Sequence, residues 1–317
     1  MKRQPFFKIF LFCGIVLLSS SGIVFVSYPH FFNHSDEEKK EFFLPKWEYP
    51  TKYLSFPKSD SRVIAHRGFQ KNTVENTLES LQTAIQFKPA YVEVDIQQTK
   101  DNYFVVIHDT SLRRLAHKKN KIRQLTLAEL KKIKLKQNNV TGYIPTLEEV
   151  ISLAKSQGQP LLLDIKTSSS DSMDMPQDLI TLLEKYQVTS DYLIQSQDDH
   201  FLNRLKELSP SLQVGLVIKS LPSKDFRDYQ FVALRATLAS DEFLAQQRTE
   251  NRTVYLWTVD FPSEMDRMMK KSVMGIITDD LDNATRFSNV NKLESTYLER
   301  IRLNQLERER SQSRMVP

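Results

Sequence analysis

Several ionisable residues stand where a strand should be apolar. Glu93 and Asp95 are two apart in Tyr91-Val92-Glu93-Val94-Asp95, so an extended backbone points both to one face. Two carboxylates forced together repel unless a cation or a shared proton offsets them. That is a hard-metal signal, and oxygen ligands suit Mg²⁺ or Ca²⁺. On the pair alone, a solvated edge strand with Tyr91, Glu93 and Asp95 all outward is the alternative. Asp164 interrupts the apolar run Leu161-Leu162-Leu163-Asp164-Ile165-Lys166. A buried charge without a partner is costly, and Lys166 points the same way two residues on. A third carboxylate for a metal and a lysine for an anion is one reading; an internal Asp–Lys ion pair is the other.

His66 and Arg67 follow the apolar segment Arg62 to Ala65, and His108 follows Phe104 to Ile107. Imidazole titrates near neutral pH, so one histidine can take a proton while the other gives one. Phosphodiester cleavage needs that division, a base for the attacking hydroxyl and an acid for the leaving alkoxide. It also needs positive charge on the phosphoryl oxygens, which Arg67, Lys166 and a metal ion can supply.

The elements that must position these groups alternate. Strands are expected at 62–65, 91–97, 104–107, 160–165, 192–195, 212–218, 231–234, 254–259 and 275–278, with helical patterns between most of them. Asn76 with Glu79, Thr126 with Glu129 and Thr146 with Glu149 read as helix N-terminal signals. Repeated strand–helix alternation implies a parallel sheet covered by helices. A closed (β/α)₈ barrel of the TIM type suits about eight strands, and its loops at the strand C-terminal ends carry active sites. A doubly wound open sheet fits the alternation nearly as well, but no glycine-rich nucleotide loop follows the first strand.

The chain has 317 residues, 40% hydrophobic and 26% charged, and a net charge of +5. These values describe a chain able to bury a core and exclude disorder for its bulk. The charge tolerates anionic partners nearby; no nucleic-acid partner is expected. Cys13 is the only cysteine, so disulfides and thiolate metal sites are excluded from the outer domain. Lys2, Arg3 and Lys8 precede an uncharged apolar run over 9–28, and Asp36, Glu37 and Glu38 follow it. Twenty helical residues at about 1.5 Å each match a hydrocarbon core about 30 Å thick. The expectation is a cytoplasmic 1–8, a single transmembrane helix over 9–28, a linker over 29–60, the barrel over 61–286 and a charged tail over 287–317. The positive-inside rule then places the barrel outside the membrane.

The ordered motifs His66-Arg67-Gly68, Glu75-Asn76-Thr77, Glu93-Val94-Asp95, Thr99-Lys100-Asp101 and His108-Asp109 closely resemble the signature of the glycerophosphodiester phosphodiesterase family. The resemblance continues through Pro145 to Glu149, Asp164-Ile165-Lys166, Trp257 to Asp260 and Gly275 to Asp279, and covers about Arg62 to Asn283. It implies a TIM-type barrel with His66 and His108 as general acid and base. It implies one divalent cation on Glu93, Asp95 and Asp164, phosphate contacts from Arg67 and Lys166, and Trp257 lining the substrate cleft. Glu75 and Asn76 would order the loop beside His66. Asp164 stands where the family usually has Glu; the related sphingomyelinase-D-type enzymes resemble this chain in having Asp there. Gln195-Ser196-Gln197 stands where a serine followed by phenylalanine is usual.

Hydrolysis of a glycerophosphodiester to an alcohol and glycerol phosphate is the leading expectation. Phospholipase-D-like cleavage of a lysolipid, and non-catalytic binding of teichoic acid or another glycerol-phosphate surface polymer, are the alternatives.

Overall fold

The computed structural model describes residues 15–19, 22–26, 62–220, 229–271 and 273–288. The expected cytoplasmic 1–8, the linker over 29–60, Cys13 and the tail beyond residue 288 lie outside the described residues.

Eight parallel strands close on themselves: β1 Val63–Ala65, β2 Tyr91–Gln98, β3 Leu161–Ile165, β4 Leu193–Ser196, β5 Gln213–Ile218, β6 Phe231–Arg235, β7 Thr253–Trp257 and β8 Gly275–Thr278. Closure is the pairing of β8 with β1, Ile276 opposite Val63, and it rules out the open sheet. Each strand is buried on both faces, which explains the near-continuous apolar runs. One set of side chains faces the helices; the alternate set fills the barrel. Ile64, Tyr91, Leu162, Leu193, Val217, Phe231, Tyr255 and Ile277 form that inner core. Tyr91 is therefore inward, and the solvated-edge reading of its strand fails. Gly215 leaves room for the Phe231 ring, which a Cβ there would strike.

The helices between strands are α1 Leu78–Ile85, α2 Leu147–Ser156, α3 Met175–Lys185, α4 Asp199–Leu208, α5 Asp241–Thr249 and α6 Pro262–Met269. Four of the six start on an oxygen cap from Thr77, Thr146, Asp198 or Ser240, which satisfies first-turn N–H groups. Thr146 and Glu149 form the expected capping box. So do Thr126 and Glu129, at the start of the short helix Leu127–Leu130.

The structure differs from expectation in three places. The segment Phe104–Val106 is not a barrel strand. It runs antiparallel to the end of β2, Phe104 opposite Gln98, because the turn at Asp101 and Asn102 is far too short for a parallel crossover. It opens an insertion with its own apolar cluster, including Val105, Leu112, Ile122, Leu135 and Ile144, and a hairpin of Lys134–Gln137 with Val140–Tyr143.

Asn76 does not cap α1. It takes a positive φ of 58°, which asparagine tolerates, and leaves capping to Thr77 with Ser80.

The third difference lies in the separate unit formed by residues 1–46. Where the run over 9–28 is described, it is an antiparallel pair, Ile15–Ser19 with Gly22–Val26, rather than a helix. Ile15, Val16, Ile23, Val24, Phe25 and Val26 are β-branched or aromatic, which favours strand. Among the described residues, no helix is long and apolar enough to cross a membrane.

Candidate active site

Side-chain parity builds the barrel mouth. Continuing the inward set beyond the apolar core reaches His66 just after β1, Glu93, Asp95 and Gln97 on β2, Asp164 on β3 and Lys166 just after it, Gln195 on β4 and Gln197 just after it, and Trp257 on β7. All except Gln97 line one cleft, together with Arg67 and His108. Register holds the acids side by side: Asp95 is opposite Asp164, and Asp164 opposite Gln195.

Glu93, Asp95 and Asp164 each offer an oxygen within 4.8 Å of the others. All three are buried. Lys166 Nζ lies 2.6 Å from Asp164 Oδ2 and 2.9 Å from Asp95 Oδ1. Arg67 Nε lies 3.2 Å from Asp95 Oδ2. Burial works to raise the Asp95 pKa, but Lys166 and Arg67 outweigh it and hold the carboxyl below its usual range. Burial pushes Glu93 well up, and the charge of Asp95 adds to that. Burial also raises Asp164, against the pull of Lys166. For Lys166, burial opposes the charge, but the three acids win and hold the ammonium protonated. Asp164 Oδ1 is buried without a hydrogen bond, whereas Asp95 Oδ1 is ion-paired with Lys166. A buried acid oxygen without a hydrogen bond, in a cluster of three carboxylates, is open to a further cation.

The chain turns sharply at His66-Arg67-Gly68. Arg67 has φ 56° and Gly68 φ 83°, and a Cβ on Gly68 would meet the backbone of Ser80. This turn aims the Arg67 N–H at Glu93 Oε2, 2.9 Å away. Asn76 NH₂ donates to Asp95 Oδ2 at 2.8 Å, and its carbonyl accepts from the Asp95 N–H at 3.1 Å.

Each histidine is held by a carboxylate at Nδ1. His66 lies 2.6 Å from Asp279 on the loop after β8, and His108 lies 2.8 Å from Asp109. A carboxylate only accepts, so Nδ1 carries the proton and Nε2 is left for chemistry. Burial lowers the His66 pKa, but Asp279 and Glu93 outweigh it and leave it raised.

Asp279, Asp109, Gln97 and Arg114 had no assigned part in the sequence reading. Gln97 NH₂ donates to the carbonyls of Ile107, His108 and Asp109 at 2.9, 3.1 and 2.9 Å, and so pins the turn bearing His108. Its signal was present, two residues past Asp95 on the same face. Arg114 grips Glu75 with both terminal nitrogens, at 2.7 and 2.6 Å, and Asp109 through Nε at 2.7 Å. Glu75 also accepts from Arg67 at 3.0 Å. One arginine of the insertion thus ties the His108 carboxylate to the Arg67 carboxylate.

Residues 66–283 match the glycerophosphoryl diester phosphodiesterase family. The chain belongs to that family. It is a phosphoric diester hydrolase, and the family segment begins at His66 and contains all the cleft residues named above. A glycerophosphodiester phosphodiesterase of Caldanaerobacter subterraneus subsp. tengcongensis is 31% identical over 231 residues, 69% of this chain and 93% of the relative. Two solved structures share the fold. One is an Oleispira antarctica phosphodiesterase in complex with the product sn-glycerol-3-phosphate, at 23% identity and TM-score 0.66, covering 71% of this chain and 95% of that one. The other is from Silicibacter pomeroyi, at 22% identity and TM-score 0.66, covering 72% and 93%.

Proposed function

We propose that the chain hydrolyses glycerophosphodiesters to an alcohol and glycerol phosphate, with His66 and His108 as the proton-transfer pair. Glu93, Asp95 and Asp164 hold one divalent cation, Mg²⁺ or Ca²⁺. The observation that carries this is the convergence of three buried acids, one of them with an oxygen that accepts no hydrogen bond, beside two carboxylate-held histidines in one cleft. The donor set is all oxygen, which fits a hard cation. When bound, such an ion adds positive charge where negative charge develops on the phosphoryl group. Arg67 and Lys166 contact the phosphate oxygens. One histidine takes the proton of the attacking hydroxyl, and the other protonates the leaving alkoxide. Trp257, fixed by its indole N–H to the Ala233 carbonyl at 2.8 Å, forms a wall for the alcohol. Glycerol phosphate as product is in keeping with the product held by the Oleispira antarctica structure.

Phosphorus NMR on a panel of glycerophosphodiesters and lysolipids tests the reaction. Glycerol phosphate should appear with time; phosphate-containing lipid products from lysolipids alone would overturn the reading. Chelation should suppress turnover, and Mg²⁺ or Ca²⁺ should restore it. The same ion should raise Tm. At a hundredfold excess over Kd the stabilisation is about 2.7 kcal/mol, or about 5–10 °C for a domain of this size. A Tm indifferent to both ions would remove the metal from the proposal.

We further propose that the barrel works outside the membrane, tethered by residues 9–28. The support is the uncharged apolar run with basic residues before it and acids after it. The full chain should stay with membranes through an alkaline carbonate wash, and release by that wash would refute the tether.

A further inference from the structure

His66, Arg67, Glu93, Asp95, Asp164 and Lys166 crowd β1 to β3 and their ends. The opposite half of the mouth carries a second group of polar residues that the reaction does not use. Inward parity on β5 runs through Gly215 and Val217 to Lys219. On β6 it runs through Phe231 and Ala233 to Arg235. Ile218 is opposite Leu234 in the ladder, so Lys219 and Arg235 are registered neighbours at adjacent strand ends. Arg235 is in turn paired with Trp257 on β7. Lys219 lines the same cleft as Glu93, Asp95 and both histidines. Both cations are exposed, and among the described residues neither has a carboxylate within ion-pair distance.

Trp257 sharpens the point. A tryptophan face lining a cleft is a natural seat for a quaternary ammonium group. Here the Arg235 guanidinium already lies over the indole, 6.0 Å from the ring centroid. A cationic alcohol would meet a cation on the ring it needs.

Resting on the phosphodiesterase reading above, we propose that Lys219 and Arg235 form a second anion site across the cleft from the scissile phosphate. The preferred substrate is then a glycerophosphodiester whose alcohol carries a further phosphate or carboxylate. Two sources share that chemistry, a small doubly charged diester and the end of a glycerol-phosphate polymer.

The test uses the full chain and its Lys219→Gln/Arg235→Gln double variant. Substrates are bis(glycerophospho)glycerol, glycerophosphoglycerol, glycerophosphocholine and a defined glycerol-phosphate oligomer. The wild type should favour the doubly charged diester over glycerophosphoglycerol about tenfold in kcat/KM. The double variant should lose that preference through KM and turn over glycerophosphoglycerol at an unchanged rate. Added salt should erode the preference, as for exposed charges, and glycerophosphocholine should be the poorest substrate. A larger preference for the oligomer than for the short diester assigns the polymer as source, and the reverse assigns the small molecule. No wild-type preference, or a preference kept by the double variant, overturns the second site while leaving the hydrolase reading intact. Failure to cleave any of the four substrates would instead defeat that reading.

Discussion

His66→Ala and His108→Ala should each lower kcat/KM for a glycerophosphodiester by about 10²–10⁴, the usual scale for loss of a proton-transfer group. The two losses should not add, because each histidine serves the same transition state. Both variants should fold. Neither ring belongs to the apolar cores, and the buried acids beneath keep Lys166 and Arg67 as partners. Circular dichroism and Tm separate this outcome from unfolding. The variants of the carboxylates behind them, Asp279→Asn and Asp109→Asn, should lose less activity. An amide can still accept from Nδ1–H but no longer supplies charge. His66 should respond more than His108, because its pKa is raised, against burial, by Asp279 and Glu93. Full activity in either alanine variant would remove that histidine from the mechanism.

The fold was legible from strand–helix alternation because a closed parallel barrel buries both faces of every strand. That burial writes continuous apolar runs into the sequence, and any acid within them stands out. Glu93, Asp95 and Asp164 were visible for this reason. Their shared register, Asp95 opposite Asp164, was not visible, because it depends on how β2 and β3 align across an insertion. Periodicity also could not tell a barrel strand from Phe104–Val106, which is short, apolar and followed by a histidine. Only the length of the connection separates the two cases.

Groups that act through long-range closure left no local trace. Asp279 reaches His66 only because β8 pairs with β1, 213 positions apart in sequence. Glu75 and Arg114 meet across 39 positions and join the insertion to the barrel mouth. Asn76 shows a conflict between levels. Its neighbours favour a helix cap, yet its side chain is spent on both the N–H and the carboxylate of Asp95. The positive φ at Asn76 and Arg67 marks the place where local preference yields to the site.

In metal-free protein, Glu93→Gln should stabilise the fold at pH 8 by a few kcal/mol, while Asp95→Asn should destabilise it by about 3–5 kcal/mol. The two acids stand two residues apart on one strand face, but their surroundings differ in sign. Asp95 sits between Lys166 and Arg67, and its neutralisation leaves two buried cations short of charge. Glu93 is buried against Asp95 and Asp164, so its ionised form is penalised. Glutamine keeps an acceptor for the Arg67 N–H without that charge. The sign with pH follows. A carboxyl whose folded pKa lies above its unfolded value binds more protons in the native state. Its contribution is fully present below the unfolded pKa near 4.5 and is lost as pH rises through the folded one. Chelated wild type should therefore lose stability between pH 5 and pH 8, and Glu93→Gln should flatten that slope. Saturating Mg²⁺ or Ca²⁺ should reverse the ranking, because the cation relieves the repulsion that glutamine removes and needs the charge that glutamine lacks. Urea unfolding at three pH values, with chelator and with metal, measures each of these effects. An Asp95→Asn protein as stable as wild type under chelation would show that Lys166 and Arg67 do not depend on that carboxylate.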